Sequence, residues 1–197
     1  MRWRIEPPAA KREVYSGGAR VPVGEKETYV LDLALQRQEL EHWCWAAIAA
    51  SLGDYYGLPH LSQHEVAGTL LGLDCTGIRE DPHTRARCDA TAMLDEALKL
   101  VGCFSHWSPG RPAFERIQAE IDTGRPVCLA VDWKTGGSHY AVVTGYSAGS
   151  RELFVEDPLL GPSVQQFDAF PAHYRGTGGY WRGTYWTCPP TAGTIRS

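Results

Sequence analysis

The segment QRQELEHWCWAAIAASLGDYYG, residues 36–57, decides how the rest of the chain is interpreted. Its apolar or small residues recur at helical spacing and are Trp45, Ile48, Ala49, Leu52 and Tyr56. Gly57 ends this pattern, so Cys44 is predicted to lie in the first turn of a helix. The free N–H groups and the macrodipole of a helix start favour a thiolate, the nucleophilic form of cysteine. The alternative for Cys44 is a buried apolar thiol, since free cysteine is among the most buried residue types.

The composition predicts one soluble globular domain. The chain has 197 residues, of which 43% are hydrophobic and 21% charged, and a formal net charge of -4. Its 19 Lys and Arg residues are scattered, so neither a nucleic-acid nor an anionic-membrane partner is expected. The start has no apolar h-region, and no apolar run is long enough to span a bilayer. We therefore expect a cytoplasmic protein, or one secreted by a route without a signal peptide.

The first half is predicted to be helical and the second half to form strands. Helices are expected over 44–56, over 61–72 with a Ser62–Glu65 capping box, over 88–102 with Asp89 as N-cap, and over 111–126 with Pro112 in the first turn. Short segments rich in Val, Tyr and Phe predict strands over 127–133, 139–146, 152–157, 163–167 and 178–188, and a short helix over 168–174. This order is typical of an α+β fold. The folded domain is expected over 31–190, between an N-terminal arm, tail or pro-segment over 1–30 and a C-terminal tail over 191–197.

The other cysteines do not predict a disulfide scaffold or a metal centre. Cys75 and Cys88 bracket a polar loop, where a disulfide would suit an oxidising compartment and two free thiols are expected in the cytosol. His83 lies between them, but no CxxC pair or second histidine completes a zinc site. Cys128 falls within a predicted strand core. No metal and no cofactor is therefore expected.

Two distant residues have the pattern of partners for a reactive thiol. His139 begins an apolar strand directly after a Gly-Gly turn, on a rigid element that a substrate backbone can approach closely. An imidazole that acts as a base needs an acceptor for its other nitrogen, and Asp157 ends the next predicted strand. In an antiparallel hairpin these two positions lie side by side. A turn-forming role before Pro158 is the alternative for Asp157.

A side-chain amide before the helix completes the pattern. Attack on a carbonyl creates an oxyanion, which the N–H of the nucleophile and a side-chain amide can stabilise. Gln38 lies six residues before Cys44, and Gln36 is its rival two residues further away.

The ordered set Gln38, Cys44, His139 and Asp157 resembles the papain-like cysteine peptidases. The segments HWCWAA, GRPVCLAVDW, GGSHYAVVTGY, VEDPLLG and GGYWRGTYWT resemble its compact bacterial branch, which includes the AvrRpt2-like effector peptidases and, more distantly, the C39-like bacteriocin-leader peptidases. The signature C-G-[SA]-C-[WY] is absent, and the interval from Cys44 to His139 is shorter than the roughly 130 to 150 residues of papain-like enzymes proper. The resemblance therefore implies a trimmed papain-like fold, with the nucleophile helix packed on a C-terminal antiparallel sheet.

The resemblance implies a role for each of the four residues. Cys44 is the nucleophile, His139 the base and then the acid, Asp157 the orienting group and Gln38 the oxyanion donor. The expected activity is hydrolysis of a peptide bond in a protein or peptide substrate. Acyl transfer, transglutaminase-like chemistry or deamidation through the same thioester are alternatives, as is a non-catalytic binding module. We also expect Trp43 or Trp45 to form a wall of the substrate cleft.

Overall fold

The computed structural model describes residues 28–190, and these form an α+β fold as the sequence predicts. The helices are α1 (Cys44–Tyr55), α2 (Gln63–Leu71), α3 (Pro82–Cys88), α4 (Leu94–Val101) and α5 (Phe114–Asp122). The strands are β1 (Thr28–Val30), β2 (Phe104–Pro109), β3 (Val127–Trp133), β4 (Ser138–Ser147), β5 (Glu152–Glu156), β6 (Ser163–Gln166) and β7 (Gly179–Thr187). Of the arm predicted over 1–30, the structure describes only Thr28–Val30, which form β1; the rest of the arm and the tail over 191–197 lie outside the described residues.

The strands form one antiparallel seven-stranded sheet in the order β2-β7-β3-β4-β5-β6, and β1 pairs with β4. The two central strands, β3 and β4, pair from Val127 opposite Val143 to Asp132 opposite Ser138. Because β4 and β5 are also adjacent and antiparallel, the start of β4 lies beside the end of β5. This topology brings the His139 and Asp157 regions together.

Each face of the sheet is covered by a separate hydrophobic cluster. Side chains alternate between the two faces of a strand, so Cys128 and Ala130 of β3 face the cluster of α1, α2 and α4. Leu129 and Val131 face the other cluster, to which α5 and the chain after β6 contribute. The alanine-rich face of α1 is buried, as the small residues of this helix allow its backbone to approach the sheet closely. The prediction that Cys128 is strand core is confirmed, since its side chain is fully buried.

The helix predicted over 88–102 is wrong in its extent. Residues 82–88 form α3, residues 89–93 are extended, and only Leu94–Val101 form α4. Asp89 does not cap a helix, because its carboxylate accepts the backbone N–H of His42 at 2.8 Å instead. The true cap of α3 is Asp81, whose carboxylate accepts N–H groups of the first turn.

Three smaller predictions also differ from the structure. Strand β2 was not predicted, since its Ser, His and Pro residues obscure an alternating pattern. Helix α5 begins at Phe114, so Pro112 precedes the helix rather than occupying its first turn. The predicted helix over 168–174 is a series of turns followed by a single 3-10 turn over Tyr174–Gly176. The Ser62–Glu65 capping box at the start of α2 is confirmed.

Cys75 and Cys88 form a disulfide, which is one of the two states that the sequence leaves open. The bond joins the loop after α2 to the last residue of α3. Both sulfur atoms lie within the helical cluster and are almost completely buried. No helix among residues 28–190 is long and apolar enough to cross a membrane.

Candidate active site

Cys44 is the first residue of α1, and its surroundings hold the helix start firmly. Trp43 occupies the N-cap position, and the Cys44 residue is 8% exposed. The indole N–H of Trp43 donates to the carbonyl of Cys88 at 2.7 Å, and that of Trp45 donates to the carbonyl of Ala90 at 3.2 Å. The end of α3 and the segment after it therefore hold both neighbours of the thiol. Neither indole is exposed, so the expectation that one of them walls the cleft is wrong.

His139 approaches the thiol from the sheet. It is the second residue of β4 and follows Gly136 and Gly137, whose φ angles of 94° and 82° form the tight turn between β3 and β4. The residue is only 6% exposed, and its Nε2 atom lies 2.9 Å from Oδ1 of Asp157. This contact leaves Nδ1 as the ring nitrogen available to Cys44, with which His139 also interacts.

Asp157 follows β5 directly, and its carboxylate is completely buried. Besides His139, Oδ1 accepts the backbone N–H groups of Leu159 at 2.8 Å and Leu160 at 2.9 Å. Oδ2 accepts the hydroxyl of Tyr174 at 2.8 Å. A buried charge is tolerated only when it is paired and hydrogen-bonded, and these donors meet that requirement.

The electrostatics of the pair favour an imidazolium beside a carboxylate. Burial lowers the pKa of His139, but hydrogen bonds to Asp157 and Cys44 and the charges of both outweigh this effect and raise the pKa to about 9. Burial has the opposite effect on Asp157, because it raises the pKa of a carboxyl group. The contact with His139 and the donors from Leu160 and Tyr174 outweigh burial, so the pKa of Asp157 is lowered overall. A positive imidazole next to a thiol stabilises the thiolate.

Gln38 lies on the loop before α1 and contacts the segment that follows Asp157. Its backbone N–H donates to the carbonyl of Pro158 at 2.9 Å. Its side-chain NH2 donates to the carbonyls of Leu40 at 2.9 Å and Glu41 at 2.6 Å. The side-chain Oε1 atom is buried and has no hydrogen-bond partner among the described residues.

Gln36, the rival amide, lies at the wrong end of the helix. Its NH2 group donates to Asp54 at 3.3 Å, and its backbone N–H donates to Ser51. At a rise of about 1.5 Å per residue, Asp54 lies roughly 15 Å along α1 from Cys44. Of the two amides, Gln38 is the one that contacts the loop leading into Cys44 and the residue after Asp157.

Two aromatic residues, Trp133 and Tyr174, pack behind His139 and were not predicted from the sequence. The Trp133 ring stacks on His139 with centroids 6.0 Å apart and on Tyr174 with centroids 5.8 Å apart. Trp133 could have been found from the β3–β4 hairpin, because the paired residue Val131 lies opposite His139. Tyr174 carries no such signal, since it reaches Asp157 from a turn that pairs with neither strand.

Residues 28–190 contain no group of three or more His, Cys, Asp or Glu side chains arranged to hold a metal ion. The acidic partners of His42, His60 and His64 are single carboxylates near the surface. The candidate site is thus built from a thiol, an imidazole, a carboxylate and amide groups.

A cysteine at a helix start, facing a histidine on an antiparallel sheet, defines the class of papain-like cysteine peptidases, and the fold of this chain is that of the class. The particular family follows from the sequence. Residues 30–182 match the Peptidase_C39 like family, and the chain belongs to that family of peptidases. It is therefore a hydrolase of the cysteine peptidase type.

Solved structures of other proteins are similar to this chain. A C39-like peptidase from Bacillus anthracis is similar to this chain with a TM-score of 0.52 and 14% identity, covering 81% of this chain and 97% of that chain. A double glycine motif protease from an AMS/PCAT transporter, in complex with the leader peptide, has a TM-score of 0.44 and 13% identity over 81% of this chain and 94% of that chain. The Pseudomonas avirulence protein AvrPphB has a TM-score of 0.41 and 13% identity over 80% and 98%. No curated protein matches the chain.

Proposed function

We propose that the chain is an endopeptidase that hydrolyses a peptide bond of a protein or peptide substrate through a thioester on Cys44. The observation that carries this proposal is the buried contact of 2.9 Å between His139 Nε2 and Asp157 Oδ1, formed beside the thiol. This contact orients the imidazole so that Nδ1 faces the sulfur. It also supplies the positive charge that a thiolate requires.

The reaction follows from the position of each group. The Cys44 thiolate attacks the peptide carbonyl, and the new C–S bond leaves negative charge on the carbonyl oxygen. The backbone N–H of Cys44 and the amide of Gln38 stabilise that oxygen. The Nδ1–H of His139 protonates the leaving amine as the C–N bond breaks. The neutral imidazole then takes a proton from water, which attacks the thioester and releases the acid with the free thiol.

The donor role of Gln38 requires a small rearrangement. Its NH2 group donates to the carbonyls of Leu40 and Glu41, so one hydrogen must turn towards the oxyanion when substrate binds. Its buried backbone contact with Pro158 keeps the residue beside the segment of Asp157 during that movement. Replacing Gln38 with Ala should lower kcat while leaving Cys44 accessible to alkylation.

The Cys44→Ala variant tests the function directly. Product formation from a peptide library and labelling by an electrophilic thiol probe should both be lost in this variant. Cys188→Ala is the matched control, because Cys188 is also a free thiol and is partly exposed. Labelling that persists in Cys44→Ala and disappears in Cys188→Ala would show that Cys44 is not the reactive thiol.

Mass spectrometry of the products identifies the fate of the thioester. Hydrolysis of a peptide bond yields two fragments, whereas acyl transfer yields an amine adduct and deamidation a shift of about one dalton on an intact peptide. Two fragments from the wild type and none from Cys44→Ala are the expected result.

We infer from the Cys75–Cys88 disulfide that the protein works in an oxidising compartment, because disulfides are rare in the cytosol. An exported location then fits better than a cytoplasmic one. Purification from its own cells in the presence of a thiol-blocking reagent tests this inference. A blocked mass that shows both Cys75 and Cys88 modified would contradict it.

A further inference from the structure

Tyr174 contacts the candidate site from a part of the fold that supplies none of the other groups. It lies in the 3-10 turn after β6 and is 1% exposed. Its hydroxyl donates to Oδ2 of Asp157 at 2.8 Å. Oδ1 of Asp157 accepts hydrogen bonds from His139, Leu159 and Leu160. Tyr174 donates to the second carboxylate oxygen, Oδ2.

The same tyrosine also contacts the imidazole through a stacked ring. The Trp133 ring stacks on both rings, with interplanar angles of 12° to Tyr174 and 23° to His139. His139, Asp157, Tyr174 and Trp133 therefore form a closed ring of contacts, two of them hydrogen bonds and two of them stacks. Rotation of the imidazole about its own axis, or of the carboxylate, breaks at least one of these contacts.

We propose that Tyr174 is a positioning residue of the peptidase, an inference that rests on the proposed function. Tyr174 holds the Asp157 carboxylate in the plane in which this carboxylate orients the His139 imidazole towards Cys44. The hydroxyl suits this role because it donates its proton to Oδ2 of Asp157. Burial, together with the charge of Asp157, raises the pKa of Tyr174 well above its usual value, so the phenol stays protonated. A donor that never loses its proton fixes a carboxylate over the whole working range of pH.

The backbone around Tyr174 is tied to the rest of the fold. The Tyr174 N–H donates to the carbonyl of Pro171 at 3.0 Å, and its carbonyl accepts from Gly178 at 2.9 Å. The Phe170 ring packs edge-on against the Tyr174 ring with centroids 5.0 Å apart. The tyrosine is therefore a fixed support for Asp157 rather than a mobile side chain.

The Tyr174→Phe variant removes the hydroxyl and keeps both stacked rings. We expect kcat to fall about tenfold, because a hydrogen bond to a charged group is lost where the imidazole is oriented. KM should not change, since the residue lies behind the imidazole. Tyr56→Phe is the matched control: it also loses a hydroxyl contact, 2.6 Å from Thr187, but at a distance from the site. Its kcat should equal that of the wild type.

A double-mutant cycle with Asp157→Ala separates positioning from a general loss of stability. If Tyr174 acts through Asp157, Tyr174→Phe has no further effect on kcat in the Asp157→Ala background. An unchanged kcat in Tyr174→Phe alone, or a tenfold loss that persists in the double variant, would overturn the proposal. Thermal unfolding of all four proteins shows whether a common loss of folded protein accounts for the rates, and the cycle cancels such a loss.

The rate of Cys44 alkylation by iodoacetamide distinguishes failure of this inference from failure of the proposed function. If the wild type cleaves no peptide, the proposed function is wrong, and the same cycle is then measured on the alkylation rate. A slower alkylation in Tyr174→Phe that vanishes in the Asp157→Ala background supports the positioning role. An equal alkylation rate in wild type and Tyr174→Phe contradicts it.

Discussion

The nucleophile side and the histidine side of the site are held by different kinds of interaction. On the helical side, two buried indoles donate neutral hydrogen bonds to the backbone of a segment that follows the Cys75–Cys88 disulfide. On the sheet side, a buried carboxylate collects donors from a histidine, two backbone N–H groups and a tyrosine. The first arrangement depends on packing and covalent closure. The second depends on charge.

This difference predicts how each side fails. Substitutions on the sheet side should change the rate of reaction more than the free energy of unfolding, because a charged network orients and protonates the imidazole. Substitutions on the helical side should change the free energy of unfolding more than the rate, because the indoles and the disulfide stabilise the fold around Cys44 without touching the reacting atoms.

The largest expected effect is that of His139→Ala. Loss of the acid and base should lower kcat by about 100-fold to 10,000-fold, the usual contribution of such a group. His106→Ala is the control, since His106 is exposed and stacks on Trp186 rather than contacting Cys44. Steady-state cleavage of a peptide substrate measures both. If the kcat of His139→Ala were within a factor of about three of the wild-type kcat, the residues on the sheet side would not take part in the reaction.

The next effect belongs to the helical side. Replacing Cys75 and Cys88 with Ser should lower the free energy of unfolding by about 3 kcal/mol, the value for a disulfide that closes a loop of roughly 15 residues. Urea unfolding with and without a reductant measures this change. Reduced wild type should unfold like the double variant, and the reductant should leave the double variant unchanged. Equal midpoints for oxidised and reduced wild type would show that the bond does not stabilise the fold.

Trp43→Phe should have a smaller effect on the same side. The Cys88 carbonyl loses its indole donor in a fully buried position, which costs about 2 kcal/mol of unfolding free energy. The exposed Trp107 provides the control variant Trp107→Phe, for which a change of no more than about 0.5 kcal/mol is expected. Activity per folded molecule should be nearly preserved in Trp43→Phe. A large loss of kcat with normal stability would contradict the division between the two sides.

The same contrast explains which features could be predicted from the sequence. Helix α1 and strands β3 to β5 show clear periods over consecutive residues, and their adjacency follows from short hairpin connections. The neighbourhood of Cys44, His139 and Asp157 could therefore be predicted. The N-cap assigned to Asp89 failed because a residue far along the chain, His42, uses that carboxylate. Tyr174 could not be predicted, since its contact with Asp157 depends on how the turn after β6 packs under the sheet.

The pH dependence of activity follows from the charges on the sheet side. The pKa of His139 is raised to about 9, so the protonated imidazole that the thiolate requires is present below that value and is lost above it. We expect kcat/KM to fall about tenfold for each pH unit above about 9, as for the loss of one essential proton.

The free energy of unfolding should also fall as the pH rises. The raised pKa of His139 contributes free energy that is fully present below the unfolded value of about 6.5 and disappears as the pH rises through 9. Asp157, whose pKa is lowered, contributes stability that is present above the unfolded value of about 3.9 and is lost in acid. Cleavage rates measured between about pH 6 and pH 10 and thermal unfolding measured between about pH 2 and pH 10 test these predictions. Asp157→Asn should move the alkaline limb of kcat/KM to lower pH, because this variant weakens the hydrogen bond and the charge that raise the pKa of His139. An alkaline limb at the wild-type pH would mean that another group titrates there.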